Sequence, residues 1–260
     1  MTEAVAGAES AAAASWFVPD WPLPPGVRAL QTTRLGGCSQ GPWAGLNLGE
    51  HVGDAPQAVA ANRRQLASRL PNPPTWLNQV HGTAVAAIDD LVPGVPPAAD
   101  AAVARMPGKV CAVMTADCLP LLLCDRTGSV VAAAHAGWRG LCAGVIEATV
   151  AAMAVPPAEL SVWLGPAIGP AAFEVGDEVR AAFVTDDAAA AAAFVRGQGD
   201  RWLADLYALA RLRLRRLGVG TVAGGDECTY RQAERYFSYR RDGVTGRMAT
   251  LIWRDPDARS

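Results

Sequence analysis

Histidine and lysine are scarce in this sequence. It holds three histidines, and among 23 basic residues Lys109 alone is lysine. Three imidazoles exclude a multicopper oxidase, because a His₂Cys copper and a further copper cluster need more than that. No apolar run approaches the ~20 residues that cross a bilayer as a helix. The six cysteines, at 38, 111, 118, 124, 142 and 228, include no CxxC pair. Scattered in this way, they predict reduced thiols and a cytoplasmic protein. Neither GxxxxGKS/T nor strand–GxGxxG–helix occurs, which argues against nucleotide-cofactor folds of those types. The HxE…PCxxC deaminase signature is absent too. A formal net charge of −2 leaves no electrostatic footprint for nucleic acid.

What is present is apolar surface: 51% of the 260 residues are hydrophobic, ample for a sizeable core. The first 15 residues are Ala-rich and acidic, without the basic start and Leu/Val/Ile centre of a signal peptide. They predict a loose tail ahead of one domain over 16–260. Residues 32–54 are Gly-rich and read as a structured loop. A helix is predicted over 54–70, starting at Asp54, with Val59, Leu66 and Leu70 on its apolar face. Residues 75–88 read as strand, turn at His81-Gly82, strand, and 91–100 as a Pro-rich loop.

Two apolar runs follow, KVCAVMTADCLPLLLCD and SVVAAAHAGW, joined by a tight turn at 126–129. They predict a buried strand pair. Helices are predicted over 140–155, 173–183 and 201–218, the last the clearest amphipathic one. SVWLGPAIG, VGTVAGGD and 247–254 read as strands. No internal repeat is present. Interleaved helices and strands give an α/β fold with a mixed sheet.

The candidate chemistry lies at His51, His81, His135 and Cys118, each at a junction rather than inside an apolar run. Cys118 directly follows Asp117 at the mouth of a strand, and buried carboxylates are costly. Cys111, Cys124 and Cys142 lie in apolar stretches and read as core. A cysteine with two histidines suits two chemistries equally: a thiolate nucleophile activated by imidazole, or a three-ligand zinc with an open fourth position. The intervals between His81, Cys118 and His135 match no short zinc motif, so spacing does not choose.

TTRLGG, AGLNLGEHVGD, WLNQVHGT, TADCLPLLL, AAHAGWRG, GPAIGP and FSYRRDGVTGRMATLIW occur in this order. Together they resemble the YfiH family, also called the laccase-domain or polyphenol oxidoreductase family, from about residue 16 to 254. The resemblance implies an α/β sandwich with flanking helices, related to a bacterial toxin deamidase that uses a Cys–His pair. It implies a metal on His81, Cys118 and His135, zinc foremost with copper possible, and so ranks zinc ahead of the nucleophile.

The implied reaction is phosphorolysis of purine nucleosides (adenosine, inosine, guanosine, methylthioadenosine) to base and ribose 1-phosphate. Adenosine deamination is a second implied activity. Editing of peptidoglycan precursors by a Cys–His hydrolase and copper-dependent polyphenol oxidation are the alternatives. A monomer and a homodimer are equally compatible.

Arg34 in TTRLGG is the expected phosphate ligand, because its planar fork matches phosphate and Gly-Gly follows. Arg139, at a predicted helix start, is a second. Asn47 and His51 are expected to touch substrate. Asp117 reads as an orienting partner, a base or a turn cap, and Tyr239 with Arg240 and Arg241 as an aromatic–Arg element able to stack a purine.

Overall fold

The structure, a computed structural model, describes residues 15–91 and 94–256. The tail predicted over 1–15 lies outside the described residues except for Ser15, whose carbonyl accepts from Thr33 N–H. The strands are β1 (Trp16–Phe17), β2 (Val27–Thr32), β3 (Val85–Ala87), β4 (Ala101–Ala104), β5 (Val110–Thr115), β6 (Leu119–Asp125), β7 (Val131–Ala136), β8 (Leu160–Leu164), β9 (Glu174–Val175), β10 (Phe194–Arg196), β11 (Trp202–Ala204), β12 (Thr221–Gly224) and β13 (Met248–Arg254). The helices are α1 (Pro56–Ala67), α2 (Trp138–Ala143), α3 (Val145–Met153), α4 (Asp177–Asp186), α5 (Leu206–Leu217) and α6 (Tyr239–Asp242).

Two sheets face each other. One has the order β1-β2-β13-β5, the other β12-β8-β6-β7-β4-β3, and a small third sheet, β10-β11-β9, stands apart. The six-stranded sheet is mixed: its outer pairs β12/β8 and β3/β4 are parallel, the rest antiparallel. Side chains alternate along its strands, as a period of two requires. Leu121, Leu123, Ala132 and Ala134 meet helices α3 and α5 through Val145, Val150, Leu209 and Leu214. Leu122, Cys124, Val131 and Ala133 face Ala29, Cys111, Val113 and Ile252 of the four-stranded sheet. The outer face of that sheet is covered by Leu46, Leu48 and Leu66. Both faces of the central sheet are thus buried, which explains its near-continuous apolar runs.

Most predicted elements form, with instructive differences. The hairpin β6/β7 is antiparallel, with the expected turn between its strands. The first apolar run, however, is two strands in different sheets: β5 pairs with β13, whereas β6 pairs with β7 and β8. The corner is Asp117, at φ 99. Helix 140–155 is two helices divided at Gly144. Residues 75–80 make only isolated bridges, to Cys111 and Ala98. Helix α1 begins at Pro56 rather than at Asp54. Asp54 instead accepts from Ser39 Oγ, Asn47 Nδ2 and Ala55 N–H. Over 201–218 a short strand precedes the helix, which Asp205 caps by accepting from Ala208 N–H.

Candidate metal centre and active site

β6, β7 and β4 are neighbours, and their adjoining ends bring three distant segments together. Cys118 stands at the entrance to β6, and His135 pairs with Pro120 near the end of β7. His81 sits on the turn beside Asp100, the residue before β4. The ligating atoms of His81, Cys118 and His135 all lie within 4.8 Å of one another. Cys118 Sγ is 3.9 Å from His81 Nε2. A tetrahedral zinc would hold thiolate and imidazole atoms roughly 3.5 Å apart, so Cys118 and His81 stand close to that spacing and the widest of the three separations would have to close by about an ångström. Gly137 makes the approach possible: a Cβ there would lie 2.8 Å from His81 Cδ2 and 3.0 Å from Cys118 Sγ.

Asp100 organises the cluster. Fully buried, it accepts from His135 Nδ1 at 2.8 Å and from the backbone N–H groups of Val80, His81 and Gly82. A carboxylate only accepts here, so Nδ1 carries a proton, and Nε2 is left as the ring nitrogen on the side of Cys118 and His81, where its lone pair becomes available once its own proton is displaced. The same carboxylate holds His81 at φ 60, a conformation costing on the order of 1 kcal/mol for a non-glycine residue. Burial pushes the Asp100 carboxyl up, but the hydrogen bond and charge of His135 and the backbone donors of Gly82 and Val80 outweigh it and leave it below its ordinary value.

Burial also raises the Cys118 thiol. The charge and hydrogen bond of His135, aided by His81, overcome this and bring it down to about 6. Conversely, burial lowers His135, but the Cys118 thiolate and Asp100 push it up to about 9. Without a metal the pair is therefore thiolate and imidazolium near neutrality. Cys111 and Cys124 differ sharply: burial pushes both thiols well up, as expected of core filler.

A cavity of about 510 Å³ opens over the three groups, lined also by His51, Gln79, Thr115, Tyr239 and Arg247. None of its lining residues is acidic. Gln79 ties the His81 loop to β5, donating to Met114 O and accepting from Met114 N–H. Asn47 is fully buried. Its amide bonds Asp54, Gly49 and the backbone N–H of Arg247, so it supports the wall rather than facing the cavity.

Arg34 and Arg139 lie outside the lining. Arg34 donates to Ala233 O and lies over the Phe237 ring, and exposed Arg139 lies over Trp138. Asp117 is a clamp: Oδ1 accepts from Thr229 Oγ1 and Oδ2 from Arg240 N–H, both at 2.6 Å. Arg241 donates to Thr229 O, Tyr230 O and Tyr236 O and pairs with Asp242. Of that segment only Tyr239, 60% exposed, lines the cavity. Asp100 and Arg247 were invisible in the sequence reading. A carboxylate set directly against the apolar AAVA run was the one available signal for Asp100.

Residues 28–255 match the family model described as multi-copper polyphenol oxidoreductase laccase. The chain is 57% identical over 239 residues to the purine nucleoside phosphorylase YfiH of Escherichia coli, covering 91% of this chain and 98% of that one. It is 57% identical over 240 residues to a Pseudomonas aeruginosa purine nucleoside phosphorylase, covering 92% and 98%. The chain belongs to the YfiH family. Among solved structures of this family's fold, a Neisseria meningitidis protein superposes with a TM-score of 0.91 at 54% identity, covering 93% of this chain and 100% of that one. YlmD from Geobacillus stearothermophilus follows at 0.80 and 31%, covering 88% and 92%. The family's copper description meets a chain with three histidines in all, one thiolate–imidazole cluster of which is available to a metal among the described residues.

Proposed function

We propose that this chain is a metal-dependent purine nucleoside phosphorylase, cleaving adenosine, inosine, guanosine or methylthioadenosine with phosphate to base and ribose 1-phosphate. Adenosine deamination is its second activity. The carrying observation is that His81, Cys118 and His135 converge under a cavity of nucleoside size without a single acidic wall residue; relatives named purine nucleoside phosphorylases support the reaction class.

The donor set, one thiolate and two imidazoles, suits zinc, and copper shares the imidazole preference. When bound, the ion supplies a fixed positive charge against the substrate. The chain's own residues do the rest. Asp100 keeps the proton on His135 Nδ1. Tyr239 offers an aromatic face to a purine at the rim. His51, whose pKa is lowered by burial and by the neighbouring Arg247 and Arg63 charges, is a neutral imidazole against the ligand. No helix of the described residues is long and apolar enough to cross a membrane, and all six cysteines are free, which fits a cytoplasmic enzyme.

The test is adenosine incubated with and without phosphate, with products separated. Adenine formed only with phosphate supports phosphorolysis, and inosine formed without it supports deamination. If neither forms, the reading fails. One observation favours a second reading: Cys118, His135 and Asp100 also make the order of a thiol hydrolase, nucleophile, base and orienting carboxylate. About one zinc per chain, lost in Cys118→Ala, supports the metal. A metal-free, active and alkylation-sensitive enzyme supports the hydrolase.

A further inference from the structure

The wall facing the metal cluster has its own unexplained group. Arg247 lines the cavity and is unlike most of its neighbours. Arg63 pairs with Glu50, Arg235 with Glu227 and Arg241 with Asp242. Arg247 has no carboxylate within ion-pair distance among the described residues. Asp117, whose charge acts on it, is hydrogen-bonded on both oxygens by Thr229 and Arg240.

The position is nevertheless built. The Arg247 backbone N–H donates to Asn47 Oδ1 at 2.9 Å. Its stem passes over Gly49, where a Cβ would stand 2.8 Å from Arg247 Cγ. Nη1 donates to Thr245 O and Gly246 O. That uses both protons of Nη1. Nε and Nη2, the edge of the guanidinium that grips two oxygens at once, have no hydrogen-bond partner among the described residues, although the group lies 5.9 Å from the centre of the Tyr239 ring. The residue is half-buried, and burial lowers its pKa below the ordinary arginine value against the opposing charges of Cys118 and Asp117. A partly desolvated cation beside His51, with no carboxylate at ion-pair distance among the described residues and the bidentate edge of its fork unused, is placed to take up an oxyanion. Planar forks of this kind are the residue of choice for phosphate.

Resting on the phosphorylase reading above, we infer that Arg247 is the anchor of the orthophosphate co-substrate, held across the cavity from Cys118 by Asn47 and Gly49. Phosphate accepts two hydrogen bonds from Nε and Nη2, and its remaining oxygens face the cavity where the ribose carbon is presented. His51 adds a contact on the same side. Arg34, which shares the charge, lies outside the cavity lining, with Nη1 donating to Ala233 O and its guanidinium over the Phe237 ring.

The experiment measures orthophosphate binding directly, by calorimetric titration of the metal-loaded protein, beside steady-state kinetics on adenosine. Arg247→Met is expected to weaken phosphate binding by about 30-fold or more, the loss of a bidentate charge-assisted pair. Arg247→Lys, which keeps charge but not the fork, should lose roughly a third of that on a logarithmic scale. The adenosine KM at saturating phosphate should stay within about twofold. Unchanged phosphate affinity in an Arg247→Met protein with wild-type metal content and Tm overturns the inference. It leaves the phosphorylase reading standing if wild type still needs phosphate. Phosphate binding lost in Arg247→Met, with no phosphate-dependent turnover in wild type, has the opposite meaning: the subsite stands and the phosphorylase reading falls. Tighter binding of adenosine 5′-monophosphate than of orthophosphate, abolished by Arg247→Met, reassigns the fork to a nucleotide phosphoryl group and overturns the co-substrate role. Should Arg247→Met fail to fold, Gly49→Ala displaces the stem without removing charge, and unaltered phosphate affinity there would count against the inference.

Discussion

Strand β6 carries a carboxylate at each end, and the two ends behave differently. Asp125 closes the hairpin turn. It accepts from Thr127 N–H and Oγ1, from Ser129 Oγ and from Val130 N–H, all within five residues of itself. Asp117 opens the strand and accepts from Thr229 and Arg240, more than 100 residues away. One end is a self-contained turn. The other joins separate parts of the chain and leaves Cys118 at the point where they meet. The same side chain, buried at both ends, stabilises locally at one end and helps to assemble the candidate metal cluster at the other.

The comparison can be broken at the reactive end first. Cys118→Ala should abolish metal retention and lower turnover on the order of 10³-fold while leaving Tm nearly unchanged; metal analysis and steady-state kinetics check both. In chelator-treated protein, iodoacetamide should modify Cys118 with a midpoint near pH 6. At pH 7 its thiolate fraction then exceeds that of an ordinary thiol by about 30-fold. A midpoint near 9 would show that His135 does not stabilise the thiolate. Asp100→Asn should cost about 10–100-fold in metal affinity, read by competition with a chelating dye.

The hairpin end supplies the contrast. Asp125→Ala should destabilise the fold by about 2–3 kcal/mol, as buried donors lose a charged acceptor, with turnover per folded molecule unchanged. Urea titration across pH checks the sign. Burial pushes this carboxyl up, but the hydroxyl and backbone donors outweigh it, so its pKa lies below the ordinary aspartate value in the folded state. Its stabilising contribution is therefore complete above the unfolded aspartate value and is lost as pH falls through the lower folded value. The difference in stability between wild type and Asp125→Ala should shrink in acid. The smallest effect is expected for Asp117→Ala, a few-fold rise in nucleoside KM as the Tyr239 turn loosens, with metal content retained.

What the sequence made legible follows the same division. The hairpin, the amphipathic helix α5 and strand β13 depend on period and turn chemistry within a few residues, and all three were readable. So were His81, Cys118 and His135, because the motifs around them are distinctive. The corner at Asp117 was not readable, since an apolar run of strand type continues on both sides of it and nothing local says that the two halves enter different sheets. Asp100 and Arg247 escaped for a related reason. Their importance lies in partners brought in by the topology, and neither residue type is unusual at a strand boundary. Asn47 illustrates the converse. It was expected to touch substrate, but its amide is consumed in holding the backbone that presents Arg247.

Because residues 110–125 pass from one sheet to the other through Asp117, the two layers are stitched together at the reactive thiol itself. A permuted chain opened at the 126–129 turn would keep that stitch, and its layers would still close over Cys118. One opened between residues 116 and 118 would have to rebuild the seam from two loose ends, with the thiol at a terminus.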